Sequence, residues 1–391
     1  MKKIKIGDVC DILNGYAFKS ENYVDSGIRI IRISNVQKGY IEDNTPAFYS
    51  LDTTGMDKFM LEQGDLLMSL TGNVGRVAIL GKGLLPAALN QRVACLRLKS
   101  DKVSKSYLFH ILNSNFFEHQ CITAAKGVAQ KNMSTEWLKD YEIPLYEPGQ
   151  QEEIVKVLNN VQSIISSRRH ELQKLDDLVK ARFVELFGNP ISNPMKWDIY
   201  QLEECLERID NGKSFICSDK PRNGDNPAIL KLSAATYGDY RPNENKALLD
   251  ESLFVESSEV HAGDLLFTRK NTPELVGTAA YVQSTPPKLM MPDLIFRLVP
   301  NEKVNAVFLW QLINCKEFRP VIQAISGGSA KSMSNISKER LGKIKVICPP
   351  RELQDSLIPF VEQTDKSKVA VQKSLDDAQL LFDSLMQKYF G

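Results

Sequence analysis

The side chains that could do covalent chemistry in this chain are scattered, and none falls into a catalytic spacing. The stretch "SGGSAKS" at 326–332 offers glycines, hydroxyls and a lysine, but not the G-x-x-x-x-G-K-[ST] spacing whose backbone N–H groups wrap a phosphate. Its counterpart in the first half, "AKGVAQKN" at 125–132, lacks the pattern as well. The four histidines (His110, His119, His170, His261) form no H-E-x-x-H, and His110 and His119 lie nine positions apart on an amphipathic stretch that suits packing. No G-x-S-x-G nucleophile turn is present. The Asn-Pro pairs at 189–190 and 193–194 do not extend to the Asn/Asp-Pro-Pro-aromatic motif of a nucleotide-methylating enzyme. The seven cysteines (Cys10, Cys95, Cys121, Cys205, Cys217, Cys315, Cys348) are odd in number and contain no C-x-x-C pair, as expected of reduced thiols without a structural zinc. What remains is hydrogen-bonding chemistry, and that is the equipment of a reader.

The positions of that equipment follow from an internal repeat. "EQGDLLMSLTGNVG" at 62–75 returns 199 positions later as "HAGDLLFTRKNTPELVG". Ile6 matches Leu202, the "NG" at Asn14 and Gly15 matches Asn211 and Gly212, and "RIS" ending at Ser34 matches "KLS" ending at Ser233. From Asn132 onward the offset locks at 203 without a gap through "FG" at Gly188 and "FG" at Gly391. Two copies of one domain with loop insertions give this drift, and each copy ends in a tail of fixed length.

The tail carries a heptad seam. Ile154, Leu158, Val161, Ile165, Arg168, Leu172, Leu175, Val179, Arg182 and Leu186 alternate in steps of four and three. Leu357, Val361, Thr364, Lys368, Val371, Leu375, Ala378, Phe382, Leu385 and Tyr389 repeat the same steps. This spacing predicts two long helices packed as a coiled coil. The short linker after Gly188, with Pro190 and Pro194 as helix stops, leaves little chain before the second copy begins near Trp197, so the helices are expected to be antiparallel. A helix of this length spans roughly 50 Å, a rigid ruler between the two globular units.

Each globular unit reads as α+β. Strand-like runs ("IRIIRIS", "DLLMSL", "RVAILG", "VACLRL"; then "AILKLS", "DLLFT", "AAYVQ", "LIFRLV") precede helical stretches ("KSYLFHILNSNFFEHQ", "NAVFLWQLINCKEF"). Ser134 and Ser337 suit N-caps of a short helix leading to the tail. The expected organisation is a recognition domain over 1–150, a spacer helix over 151–188, a second recognition domain over 189–350 and a second spacer helix over 351–391. With 43% apolar and 25% charged residues among 391, more than one core can be buried. The formal charge of +1 announces no nucleic-acid partner by itself. No apolar run approaches a membrane span or signal sequence, which points to a cytoplasmic protein with no membrane partner.

The ordered duplication resembles the type I restriction-modification specificity subunits. The residues that carry the resemblance are the twice-used "GDLL", a "G-x-A" loop ("KGVAQKNMS", "GGSAKSMSNIS"), a Pro-containing strand end ("YEIPLYEPGQQEEI", "IKVICPPRELQDSL") and the long helix opened by Gln151 or Gln354. The first copy departs from the family's usual double proline with "LYEP". The resemblance implies two target recognition domains, each reading half of a bipartite double-stranded DNA site. It implies a coil that docks two modification subunits, restriction subunits that join them in phage defence, and no catalysis in this chain. S-adenosylmethionine, ATP and magnesium are expected on those partner subunits. A related type II specificity chain has the same design, and near-neutral charge favours a protein-binding adaptor as the reading from a different class.

On that resemblance, base-edge contacts fall to Thr71, Asn73, Arg76, Asn90, Gln91 and Arg92 in the first copy and to Arg269, Lys270 and Asn271 in the second. The loops around Gly127 (Gln130, Lys131) and Gly328 (Lys331, Ser332) are candidates for phosphate contacts common to both half-sites.

Overall fold

The structure, a computed structural model, describes residues 2–51, 55–125, 132–327 and 333–391. The chain divides into two compact units: Met1–His170 with Gln372–Gly391, and Glu171–Val371. Each unit therefore contains part of both long helices.

In the first unit a four-stranded antiparallel sheet runs in the order Cys10–Asn14, Val93–Leu98, Leu66–Ser69, Val77–Ile79. Its strands are apolar on both faces because both faces are covered. Leu66, Met68, Val77, Ala94 and Leu96 point into the helical core with Tyr107, Ile111 and Phe117, while Leu67, Ala78, Val93 and Cys95 point the other way into a second cluster with Ile31 and Leu89. The alternation has period two, as a strand requires, and explains why "DLLMSL" shows no polar face. A second sheet, Phe48–Tyr49, Ile28–Ile31, Ala87–Leu89, Met60–Leu61, holds one parallel pair, Ile28–Ile31 with Ala87–Leu89. Lys2–Lys5 pairs with Glu142–Leu145.

The second unit repeats the plan. Its four-stranded sheet is Leu206–Asn211, Ile295–Pro300, Leu265–Thr268, Ala279–Tyr281, and its second sheet again holds a parallel pair, Ala228–Leu230 with Leu289–Met290. Leu265, Phe267, Ala279, Phe296 and Leu298 face the helical core; Leu266, Ala280 and Ile295 face away. The expected α+β class stands, with the sheets mainly antiparallel.

The helical stretch expected over 105–120 is broken into Lys105–Leu112 and Asn115–Ala124, because the Ser114 hydroxyl accepts the Phe117 N–H at 3.1 Å and starts a new helix. Ser134 and Ser337 do cap Thr135–Asp140 and Lys338–Gly342, accepting from Trp137 N–H (3.1 Å) and Arg340 N–H (3.3 Å).

The first long helix spans Pro148–Phe187, and the second spans Leu357–Phe390 after a short helix Arg351–Asp355. Within the first unit, Ile154 and Leu158 share a core with Met386 and Phe390, and Val161 and Ile165 cluster with Ala378, Leu375, Phe382 and Leu385. Numbers rise on one helix as they fall on the other, so these segments are antiparallel. Within the second unit, Val179, Phe183 and Phe187 share a core with Leu357 and Val361, and Lys368 Nζ meets Asp176 at 2.6 Å, again antiparallel. Leu172, Leu175, Leu186 and Val371 are half-buried. The seam is wider than a strict heptad at the helix ends: Phe183, Phe187, Met386 and Phe390, none of them seam positions by the four-three steps, are among its most buried residues. There the helix meets a globular core and needs a third apolar row. Gly188 adopts φ +73 and its N–H reaches the Val184 carbonyl at 2.8 Å, the left-handed helix end that its position suggests.

Candidate nucleic-acid interface

Two repeated polar constellations explain much of the duplicated sequence before any ligand is considered. The first is the aspartate of "GDLL". Asp65 accepts from the Glu62 N–H at 2.8 Å and from Arg97 Nε and Nη2 at 2.9 and 2.8 Å. Asp264 accepts from the His261 N–H at 2.9 Å and lies 3.0 Å from Arg297 Nε. Burial pushes both carboxyls up. At Asp65 the two-pronged guanidinium and the backbone N–H outweigh burial and hold the group below the usual carboxylate range, whereas at Asp264 burial wins and the group is raised. The second constellation is the glutamine that opens each tail. Gln151 accepts from Ser104 N–H (3.0 Å) and donates to the Lys102 and Tyr146 carbonyls (2.8 and 2.9 Å). Gln354 accepts from Asn305 N–H (2.9 Å) and donates to the Lys303 and Pro349 carbonyls (2.9 and 2.7 Å). Both sets are framework, not chemistry.

Against this shared frame, the first unit gathers its expected contact residues on one concave edge. Asn90, Gln91 and Arg92 follow the strand Ala87–Leu89 and line a hollow with Phe18, Arg32, Ile33 and Ser34. The Asn90 side chain accepts the Arg92 N–H at 3.2 Å, which fixes the turn and leaves Gln91 and Arg92 exposed. The loop after Leu66–Ser69 adjoins the hollow, since a Cβ on Gly72 would lie 3.8 Å from Ile33 Cδ1. Asn73 is exposed at this loop, and Thr71, half-buried, bridges to Asn132. Arg76 is engaged already: its guanidinium donates to Gln37, whose amide donates to the Ser34 carbonyl at 2.9 Å. Arg76 thus positions the rim. Arg32, Ser34 and Gln37 escape a linear reading. For Arg32 and Ser34 the sequence signal is the repeated "RIS"/"KLS", which registers as a repeat marker with no hint that it faces residues 90–92.

In the second unit Arg269 and Lys270 are half-buried just after the strand Leu265–Thr268, Lys270 opening a further short strand. Arg269 lies over the Phe296 ring, 4.9 Å to its centre, and donates to Asn335 Oδ1 at 3.3 Å. Lys338, not anticipated from the sequence, lies 5.7 Å from the same ring. Asn271 is corrected to a framework residue: it is buried, its amide donates to Thr236 Oγ1 at 3.1 Å and its carbonyl oxygen accepts the Thr272 N–H at 2.9 Å. A short strand expected of neither copy makes this possible, because Lys270–Asn271 pairs with Ser334–Asn335. Gln130 and Lys131, with Lys331 and Ser332, lie outside the described residues.

Among the described residues no cluster of His, Cys, Asp and Glu is placed to hold a metal, and no helix is long and apolar enough to cross a membrane. His110 is buried with Nε2 2.8 Å from Asn159 Oδ1, a packing role.

The family described as "Type I restriction modification DNA specificity domain" matches residues 1–176. The EcoEI type I restriction enzyme specificity subunit of Escherichia coli is 31% identical over 49% of this chain and 32% of its own length. The MjaVIII specificity subunit of Methanocaldococcus jannaschii is 28% identical over 45% of the chain and 43% of its own. The chain thus spans less than half of these two relatives. The E. coli EcoBI specificity subunit is 23% identical over 98% of the chain and 83% of its own length. The crystal structure of a type I restriction-modification S subunit from M. genitalium shares the fold, with a TM-score of 0.57, 15% identity, and coverage of 100% of this chain and 96% of that one. Residues 1–176 thus match a type I specificity domain, the chain is similar along its whole length to type I specificity subunits, and it shares the fold of one of them.

Proposed function

We propose that this chain is the non-catalytic DNA-recognition subunit of a type I restriction-modification assembly. Each unit reads one half of a bipartite duplex site, and the length of the long helices sets the number of unread bases. The observation that supports this reading is a shared frame with divergent edges. The four-stranded sheet, the aspartate held by an arginine and the glutamine anchor recur in both copies, while the amide and guanidinium groups stand at different edge positions. Two readers of different half-sites require that combination. Two modification subunits dock on the chain in this reading, restriction subunits join them, and S-adenosylmethionine, ATP and magnesium belong to those partners.

The test is to co-express the chain with the modification subunit of its own genome in a methylation-free host and to map N6-methyladenine. A split motif with a fixed gap is expected. A soluble complex that leaves no methylation and does not bind duplex DNA would replace this reading with that of a protein-binding adaptor.

A further inference from the structure

The two units carry an arginine on opposite members of one hydrogen-bonded pair of positions. In the first unit the Leu70 N–H donates to the Arg92 carbonyl at 3.0 Å, and in the second the Arg269 N–H donates to the Leu294 carbonyl at 3.0 Å. These are the same bond, one residue beyond the matched strand pairs Ser69 with Val93 and Thr268 with Ile295. Leu70 therefore corresponds to Arg269, and Arg92 to Leu294. The guanidinium and the leucine side chain have exchanged strands. Leu70 is buried and Arg92 exposed in the first unit, while Arg269 and Leu294 are both half-buried in the second. The flanks change with the exchange: where the first unit has Asn90 and Gln91 before Arg92, the second has Pro292 and Asp293 before Leu294.

We propose that this exchanged arginine is the specificity-determining residue of each unit and selects a guanine through O6 and N7 in the major groove. The proposal rests on the DNA-recognition reading above. Each copy keeps one cation at the paired positions, so general attraction to phosphate is preserved across the exchange. What changes is the strand from which the cation starts, a displacement of roughly 4.8 Å, more than one base-pair step of about 3.4 Å. The same docking frame then presents the fork to a different base pair. Among the described residues neither Arg92 nor Arg269 has a carboxylate partner, whereas Arg97 and Arg297 are ion-paired. Beyond its place over the Phe296 ring, the Arg269 guanidinium has among the described residues one hydrogen-bond partner, the Asn335 amide oxygen at 3.3 and 3.4 Å, a weak contact that a base edge can displace. Arginine fits this task because its planar fork matches the two guanine acceptors, which a lysine cannot do.

The experiment maps N6-methyladenine motifs for the full chain and its modification subunit with Arg92→Ala, Arg92→Lys, Arg269→Ala and Arg269→Lys. Arg92→Ala is expected to lower discrimination about tenfold or more at one guanine of one half-site and leave the other half-site intact. Arg269→Ala should do the same in the opposite half-site. The lysine variants should relax the same positions, since charge is kept and the fork is lost. If Arg269→Ala does not fold once its packing on Phe296 is gone, Arg269→Lys keeps the aliphatic stem and decides the matter. An unchanged motif, a uniform fall at both half-sites with no relaxed base, or relaxation at an adenine or thymine would each overturn the proposal. A wild-type complex without any split motif would overturn the DNA reading instead, before a variant is compared.

Discussion

Asp65 and Arg97 meet through two hydrogen bonds, at 2.9 and 2.8 Å, whereas the matched Asp264 meets Arg297, which by strand register stands at the place of Cys95, through one contact at 3.0 Å. Arg297 divides itself further, donating to the Glu259 carbonyl and lying 3.9 Å from Asp210. The same motif therefore has opposite electrostatic signs in the two units. The Asp65 carboxyl is depressed in the folded state, so its contribution is present above the unfolded value of about 3.9 and is lost as pH falls through the folded value. The Asp264 carboxyl is raised, so its contribution is present at low pH and is lost as pH rises through the folded value. Asp65→Asn should then cost about 3 kcal/mol at pH 7, and Asp264→Asn much less. Hydrogen exchange of peptides from each sheet measures this. Equal losses of protection in the two variants would refute the difference.

Gln151 and Gln354, 2% and 0% exposed, each satisfy three backbone groups at the start of a tail. A glutamate in either place cannot donate and adds a buried charge. Gln151→Glu should destabilise the first unit by about 3 kcal/mol, seen first as lost hydrogen-exchange protection over Lys105–Leu112, and Gln354→Glu should do so over Ala306–Asn314. Protection unchanged in both helices would mean that these bonds are not what fixes the tails.

Phe183 and Phe187 lie against Phe308 with ring centres 5.7 and 4.9 Å away. Truncation of either to alanine opens a cavity in the second unit's core and should cost about 3–5 kcal/mol in denaturant unfolding. Val184, on the same turn but 46% exposed, should tolerate alanine with a change of about 0.5 kcal/mol or less. A Phe187→Ala midpoint equal to that of Val184→Ala would show that the helix end does not depend on the core.

How much of this was legible in the sequence depends on how far apart the cooperating residues lie. The seam positions Ile154, Leu158, Val161 and Ile165 could be read because a helix brings i and i+4 together locally. Phe183 and Phe187 escape a strict four-three count, which reads the coil and not the core that the helix end enters. The "GDLL" aspartate was visible as a repeat, but its partner Arg97 is 32 residues away, and only the strand register brings them together. Arg32 reaches residues 90–92 through a parallel pairing, Ile31 with Leu89, of a kind that no local pattern encodes. The residue type of Asn271 suits a base edge, while the added strand pair, which no local pattern signals, turns it inward.

Gly15 shows how the frame controls the edge. A Cβ there would come within 2.3 Å of the Asn90 carbonyl carbon and oxygen, and at the matched Gly212 within 2.1 Å of the Pro292 carbonyl oxygen. Backbone cannot yield as a flexible side chain can, so Gly15→Ala must push the segment that carries Asn90, Gln91 and Arg92. The expected stability cost is about 1–3 kcal/mol. The functional effect should be larger and confined to the half-site of the first unit, read as loss of methylation motifs with that half intact in sequence but poorly modified. Gly83, with nothing within 4 Å of an added Cβ and no positive φ, should accept alanine without change in either measurement. If Gly15→Ala matched Gly83→Ala in methylation at both half-sites, the contact between the "NG" turn and the edge would be a matter of folding alone, and residues 90–92 would lose their place in recognition.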